Sequence, residues 1–119
     1  MSTVCEAMER APVQVSARTP AVEVSRLLGT DREHRHALVF DGDNLVGVVC
    51  ACDLERAGPA APVLDVMSTP PQTISVNTSP EDAVERMRVM GIGCLPVLAG
   101  GLLLGLVTRE ALLPARSAA

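Results

Sequence analysis

Residues 47–54 read GVVCACDL, and this stretch gathers side chains that could do chemistry. Cys50 and Cys52 are separated by one residue, Asp53 follows, and His34 and His36 lie upstream. Thiolates and imidazoles bind zinc, so a metal or thiol sensor is one reading. Zinc sites, however, usually take four ligands at spacings such as C-x-x-C. The other two cysteines, Cys5 and Cys94, fall where a core position or a strand start is expected. Redox C-x-x-C spacing is absent. The default for each thiol is a buried, small apolar residue, and no metal site is expected. Catalysis has less support still. No Ser/His/Asp arrangement, phosphate-cradling glycine loop or facing carboxylate pair is legible, so the expectation is a protein that is not an enzyme and requires no cofactor.

The elements that position these residues begin with composition. A chain of 119 residues fits one compact domain or two small lobes sharing a core. With 48% apolar residues, one Phe, no Tyr and no Trp, that core must be aliphatic. Stacking platforms for single-stranded nucleic acid are missing, and a net charge of −4 without a Lys/Arg cluster gives phosphates nothing to bind. Nucleic acid is not an expected partner. The start of the chain, MSTVCEAMER, has no apolar signal region. The longest apolar stretch, 94–107, is too short for a membrane span and contains three glycines and a proline. The sequence therefore reads as soluble and cytoplasmic, without membrane partners and with reduced thiols.

The chain repeats itself. Residues 4–28 overlie 63–87 at an offset of 59, placing Met8 on Met67, Pro12 on Pro71 and Thr19 on Thr78. Residues 38–54 overlie 96–112 at an offset of 58, placing Val39 on Val97, Gly47 on Gly105 and Leu54 on Leu112. The organisation read from this is a first repeat at 1–57, a linker at 58–62 and a second repeat at 63–119. Each copy predicts a helical turn, with Thr3 and Glu6 at capping-box spacing in the first. A strand follows (VQVS or QTIS), then a helix opened by Thr19-Pro20 or Ser79-Pro80. In the second copy Ala83, Val84, Met87 and Met90 form the apolar stripe, with the two methionines as core filler. Hairpins at 37–40/45–50 and 95–98/102–107 come next, and short helices near 53–57 and 109–113 close the copies. Pro96 and the glycines are read as serving hairpin geometry. The fold class is α+β: two βαββα copies, each too small to bury much alone, packed with pseudo-twofold symmetry as small sheets flanked by helices.

On AMERAPVQVSARTP with HALVFDGDNLVGVVCACDL, and on residues 66–113 of the second copy, the chain resembles a tandem pair of CBS domains, a Bateman module. Leu38 departs from the pattern, since proline is usual there. The resemblance implies a stand-alone regulatory module with two clefts between the copies, a homodimer, and a client protein that reads its state. It also implies an adenosine compound as ligand: AMP, ADP, ATP, S-adenosylmethionine or NAD. The signature is Gly, two apolar residues, Thr or Ser, two residues, then Asp. A strand ends there and a helix starts, so a carboxylate could take both ribose hydroxyls.

Neither copy is complete. The first keeps Asp53 but has Cys50 at the hydroxyl position; the second keeps Thr108 but has Ala111 at the acid position. Glu110 is adjacent, yet one helical residue turns a side chain by about 100°. The favoured cleft takes Val48, Cys50 and Asp53 with Thr78, Ala83, Ile92 and Gly93, the small residues leaving room for adenine. Arg35 and His36 stand where relatives grip phosphate. A weaker cleft takes Leu106, Thr108 and Ala111 with Thr19, Val24, His34 and Arg35. Other readings are simpler: Asp53 as a first-turn helix acid, Arg35 and His36 as a solvated turn, Thr19 and Thr78 as helix starters. A ligand-free interaction module remains the alternative to a nucleotide sensor.

Overall fold

The structure, a computed structural model, describes residues 3–29, 35–58 and 60–112. Two compact units emerge, and they do not coincide with the two sequence copies. One unit is Pro12–Pro71; the other joins the leading segment, up to Ala11, to the chain from Gln72 onward.

In the Pro12–Pro71 unit, β1 (Val13–Ser16) runs parallel to β2 (His36–Asp41), and β2 pairs antiparallel with β3 (Asn44–Cys50), in the order β1-β2-β3. The helix α1 (Ala21–Leu28) makes the β1-to-β2 crossover and buries Ala21, Val24 and Leu28, positions spaced to lie on one helical face. They pack with Val15, Ala37, Val39, Val49, Leu54 and Val63. A short helix, α2 (Ala51–Leu54), follows β3 directly, two residues before the expected start. A helical turn at Val63–Asp65 completes the unit.

The other unit repeats the plan. Its sheet order is β4 (Ile74–Ser75), β5 (Cys94–Ala99), β6 (Leu102–Thr108), and α3 (Pro80–Met90) buries Pro80, Ala83, Val84 and Met87. Met90, expected in the stripe, is 40% exposed; it is the last residue of the helix, which Gly91 ends by turning left-handed (φ 67°). Residues 109–112 form the closing helical turn. The helical turn of this unit is Val4–Glu6, capped by Thr3, whose side chain accepts from the Cys5 N–H at 3.3 Å. Val4 and Met8 enter the core of Ile74, Met87, Leu95, Val97 and Leu112.

The leading segments reach their sheets in matching ways. Glu9 and Leu106 exchange backbone hydrogen bonds at 2.7 and 2.9 Å, as Ser68 and Val48 do at 2.8 and 3.1 Å. The carbonyls of Thr78 and Thr19 accept from Val4 (3.0 Å) and Val63 (2.7 Å). This crossing explains Gly47 and Gly105, which were expected to serve the hairpins. A Cβ on Gly105 would lie 2.3 Å from the Glu9 carbonyl oxygen, and one on Gly47 2.5 Å from the Met67 sulfur. Gly42, Gly100 and Gly101 are the glycines that turn the hairpins, with φ of 62°, 56° and 83°.

Pro96 also has a different office from the one expected. Leu106 directs its N–H to Glu9, so the Leu106–Pro96 pair is not a hydrogen-bonded one, and the missing donor of Pro96 faces β4. The partner strand accordingly spans Ile74–Ser75 instead of the expected 72–75. Leu38, at the matching place, keeps its N–H, and β1 runs for four residues. The helix starts diverge too. Ser79 caps α3 by accepting from the Asp82 N–H at 3.1 Å. In α1 the cap position falls to Pro20, which offers no side chain; Thr19 lies one residue too early, and Ala21 N–H is satisfied by the Ala61 carbonyl at 2.9 Å.

Candidate functional site

The turn from β3 into α2 is built by its own residues. Cys50 is the N-cap and Asp53 the third helical residue. The Asp53 Oδ2 accepts from the Cys50 backbone N–H at 3.2 Å, one half of a capping box. In the other half the Asp53 N–H approaches the Cys50 sulfur, a weaker acceptor than a hydroxyl oxygen. Burial pushes the Cys50 thiol up from its ordinary value of 9.0; the Asp53 backbone N–H opposes that rise and the Asp53 carboxylate adds to it. The Asp53 Oδ1 is paired with the Arg56 guanidinium. Sequence reading passed over Arg56, although its place three residues after an acid on a helix was the available signal.

The second copy shows what the turn does without the acid. Thr108 Oγ1 accepts from the Ala111 N–H at 3.2 Å, so a hydroxyl alone caps residues 109–112. Both turns are tied to the neighbouring strand in the same way: Ala51 N–H donates to the Arg35 carbonyl at 2.8 Å and Arg109 N–H to that of Gly93 at 2.9 Å.

Within the Pro12–Pro71 unit the expected residues Arg35, His36, Val48, Cys50 and Asp53 therefore gather at one end of one sheet. His36 is opposite Cys50 in the β2–β3 ladder, and Val48 is opposite Leu38. Arg35 is exposed, while His36, Val48, Cys50 and Asp53 are half-buried. Thr78, Ala83, Ile92 and Gly93 belong to the other unit. Ala83, expected to leave room beside a ligand, is fully buried in its unit's core, as Val24 is in its own. Ile92 packs against that core, and Gly93 is half-buried. Thr78 borders an open groove with Asn77, Ser79, Asp82 and Arg86. In the weaker set, Leu106 is buried and Thr19 and Thr108 are half-buried; His34 lies outside the described residues. Neither Thr19 nor Thr78 caps a helix with its side chain, since Ser79 takes that place in α3 and Pro20 in α1.

The cysteines occupy four different environments. Cys94 is buried at the start of β5, Cys5 and Cys50 are half-buried, and Cys52, expected inside, is exposed on α2. Among the described residues no group of three or more His, Cys, Asp and Glu is arranged to hold a metal ion. Among them, too, no helix is long and apolar enough to cross a membrane.

Comparison with known proteins agrees with this geometry. A solved signal-transduction protein with CBS domains from Burkholderia ambifaria superposes with a TM-score of 0.89 at 23% identity, covering 98% of this chain and 95% of its own. The crystal structure of CBSX2 in complex with AMP superposes with a TM-score of 0.79 at 26% identity, covering 99% and 98%. An inosine-5′-monophosphate dehydrogenase from Thermoplasma acidophilum is 34% identical over 97 residues, which are 81% of this chain but 20% of that enzyme. The chain thus spans about a fifth of the curated relative it matches. The family profile described as CBS domain matches residues 4–59 and again 63–118. With both halves matched, this chain belongs to the CBS domain family, as a tandem pair and so as a regulatory module.

Proposed function

We propose that this chain senses an adenosine nucleotide of the AMP, ADP, ATP or S-adenosylmethionine class and signals occupancy to a partner protein. The observation that carries this reading is Asp53. Its carboxylate is held on the turn leaving β3, at the sheet end where Arg35 and His36 also stand. Both ribose hydroxyls can donate to the two oxygens of one carboxylate, a charge-assisted pair of hydrogen bonds. Support comes from CBSX2, a relative at 26% identity crystallised with AMP. The nucleotide would work as a switch through different affinities for two states of the module or of a homodimer.

Thermal unfolding and calorimetry with AMP, ADP, ATP, S-adenosylmethionine and NAD test this. Saturating ligand raises the midpoint, and Asp53→Ala abolishes the rise. Binding that Asp53→Ala leaves unchanged removes Asp53 from the site. Substitution of Thr78, Ile92 or Gly93 tests whether the other copy contributes.

A second reading, a ligand-free interaction module, has its own observation: both Asp53 oxygens already have partners, and the matching turn has Ala111 in place of an acid. That reading expects no stabilisation by any of the five compounds, and a molar mass in solution that is the same with and without them.

A further inference from the structure

We infer that Arg56 is a latch on Asp53, a positioning residue that must swing aside before the carboxylate can accept both hydroxyls of a ribose. This rests on the assignment of Asp53 to ribose. Of the two carboxylate oxygens, Oδ2 serves the Cys50 backbone N–H and Oδ1 serves the Arg56 guanidinium. The first contact belongs to the helix cap. The second is not needed for a cap, since the matching turn of the other copy is capped by Thr108 Oγ1 accepting from the Ala111 N–H, with no acid at the position of Asp53 and no base at that of Arg56. The two charges also come together or not at all in the sequence: Asp53 and Arg56 in one copy correspond to Ala111 and Pro114 in the other.

The exposures fit a latch. The Asp53 side chain is only 17% exposed, whereas that of Arg56 is 72% exposed. The guanidinium therefore comes from the solvent side and takes up part of the little carboxylate surface that a ligand could reach. A charge-assisted contact to one oxygen competes directly with a hydroxyl for the same lone pairs. The pair is also light, since an ion pair at such a site is worth little and weakens with salt. The Arg56 side chain is exposed and stands outside the core of its unit, so moving it leaves that core as it is.

Titration calorimetry of the whole chain with adenosine and with AMP tests this. Arg56→Ala is expected to bind both about two- to fivefold more tightly than the natural chain, the order set by an exposed ion pair. With adenosine, which is uncharged, the gain should shrink between roughly 0.05 and 0.5 M salt as the pair is screened. Arg56→Lys should fall between the two. Thermal unfolding of Arg56→Ala near that of the natural chain confirms that the fold is kept. Equal affinities in the natural chain and Arg56→Ala overturn the latch while leaving the ribose assignment standing. Weaker AMP binding with unchanged adenosine binding also overturns it, since the guanidinium then serves the phosphate. If neither chain binds either compound, the latch falls together with the reading on which it rests.

Discussion

A sulfur atom stands at the N-cap of α2 where an oxygen would bond the Asp53 N–H better. The second copy makes the comparison internally, with Thr108 Oγ1 accepting from Ala111 at 3.2 Å. Cys50→Thr should therefore stabilise the chain by about 0.5–1 kcal/mol in urea unfolding, at the lower end of cap substitutions. The thiol carries a pH dependence as well. Its folded value is raised above 9.0, chiefly by burial, so the unfolded chain ionises first. Its contribution is complete below the unfolded value and is lost as pH rises through the folded one. Urea midpoints of the natural chain should thus fall more steeply between about pH 8 and 10 than those of Cys50→Thr. The sequence showed that Asp53 was kept and that the thiol replaced a hydroxyl. It did not show that one Asp53 oxygen closes a capping box and the other pairs with Arg56. An acid followed three residues later by a base occurs on many solvated helices, and spacing alone does not say which of them share an oxygen with a cap.

At the level of elements, the two copies differ where a single residue changes what the backbone can offer. Ser79 caps α3, whereas Thr19 caps nothing because Pro20 occupies the cap position of α1. Ser79→Ala should cost about 1 kcal/mol in thermal or urea unfolding, and Thr19→Ala clearly less. Reading Thr19-Pro20 as cap and first helical residue failed because Ser79-Pro80 is the real pattern, and the copies align one residue out of step with it. The lengths of β1 and β4 were equally hard to read, since the effect of Pro96 depends on which side of β5 its missing donor faces. Hydrophobic spacing, by contrast, placed the buried faces of α1 and α3 well, apart from Met90. Gly105 was misjudged because its reason lies about a hundred residues away in sequence, at Glu9. Gly105→Ala should cost about 1–3 kcal/mol by pressing a methyl group on the Glu9 carbonyl, measurable as a lowered urea midpoint.

For the molecule as a whole, the repeat was the most legible feature of the sequence, and the strand and helix order followed from it. The composition of the compact units was not, because an alignment of copies records likeness and not contact. Residues 4–11 resemble 63–70 but pack with the chain beyond Gln72, so that a chain of residues 63–119 alone would lack Val4 and Met8 from its core. A fragment of residues 63–119 should therefore lack a cooperative thermal transition. Joining residues 1–11 ahead of residue 72 through a flexible linker should restore one, as followed by circular dichroism. A cooperative transition in the 63–119 fragment would show that the leading segment is dispensable.

That arrangement bears on how such a gene can be recombined. A tandem duplication copies a contiguous stretch of DNA, yet here each leading segment lies on the sheet of the sister copy. An ancestral single copy with this plan would have had to lend its leading segment to a twin chain, and duplication would then have converted a trade between two molecules into one within a single polypeptide. For hybrids between relatives, the splice points that keep both cores whole are the crossings at 11/12 and 71/72, not the evident linker at 58–62.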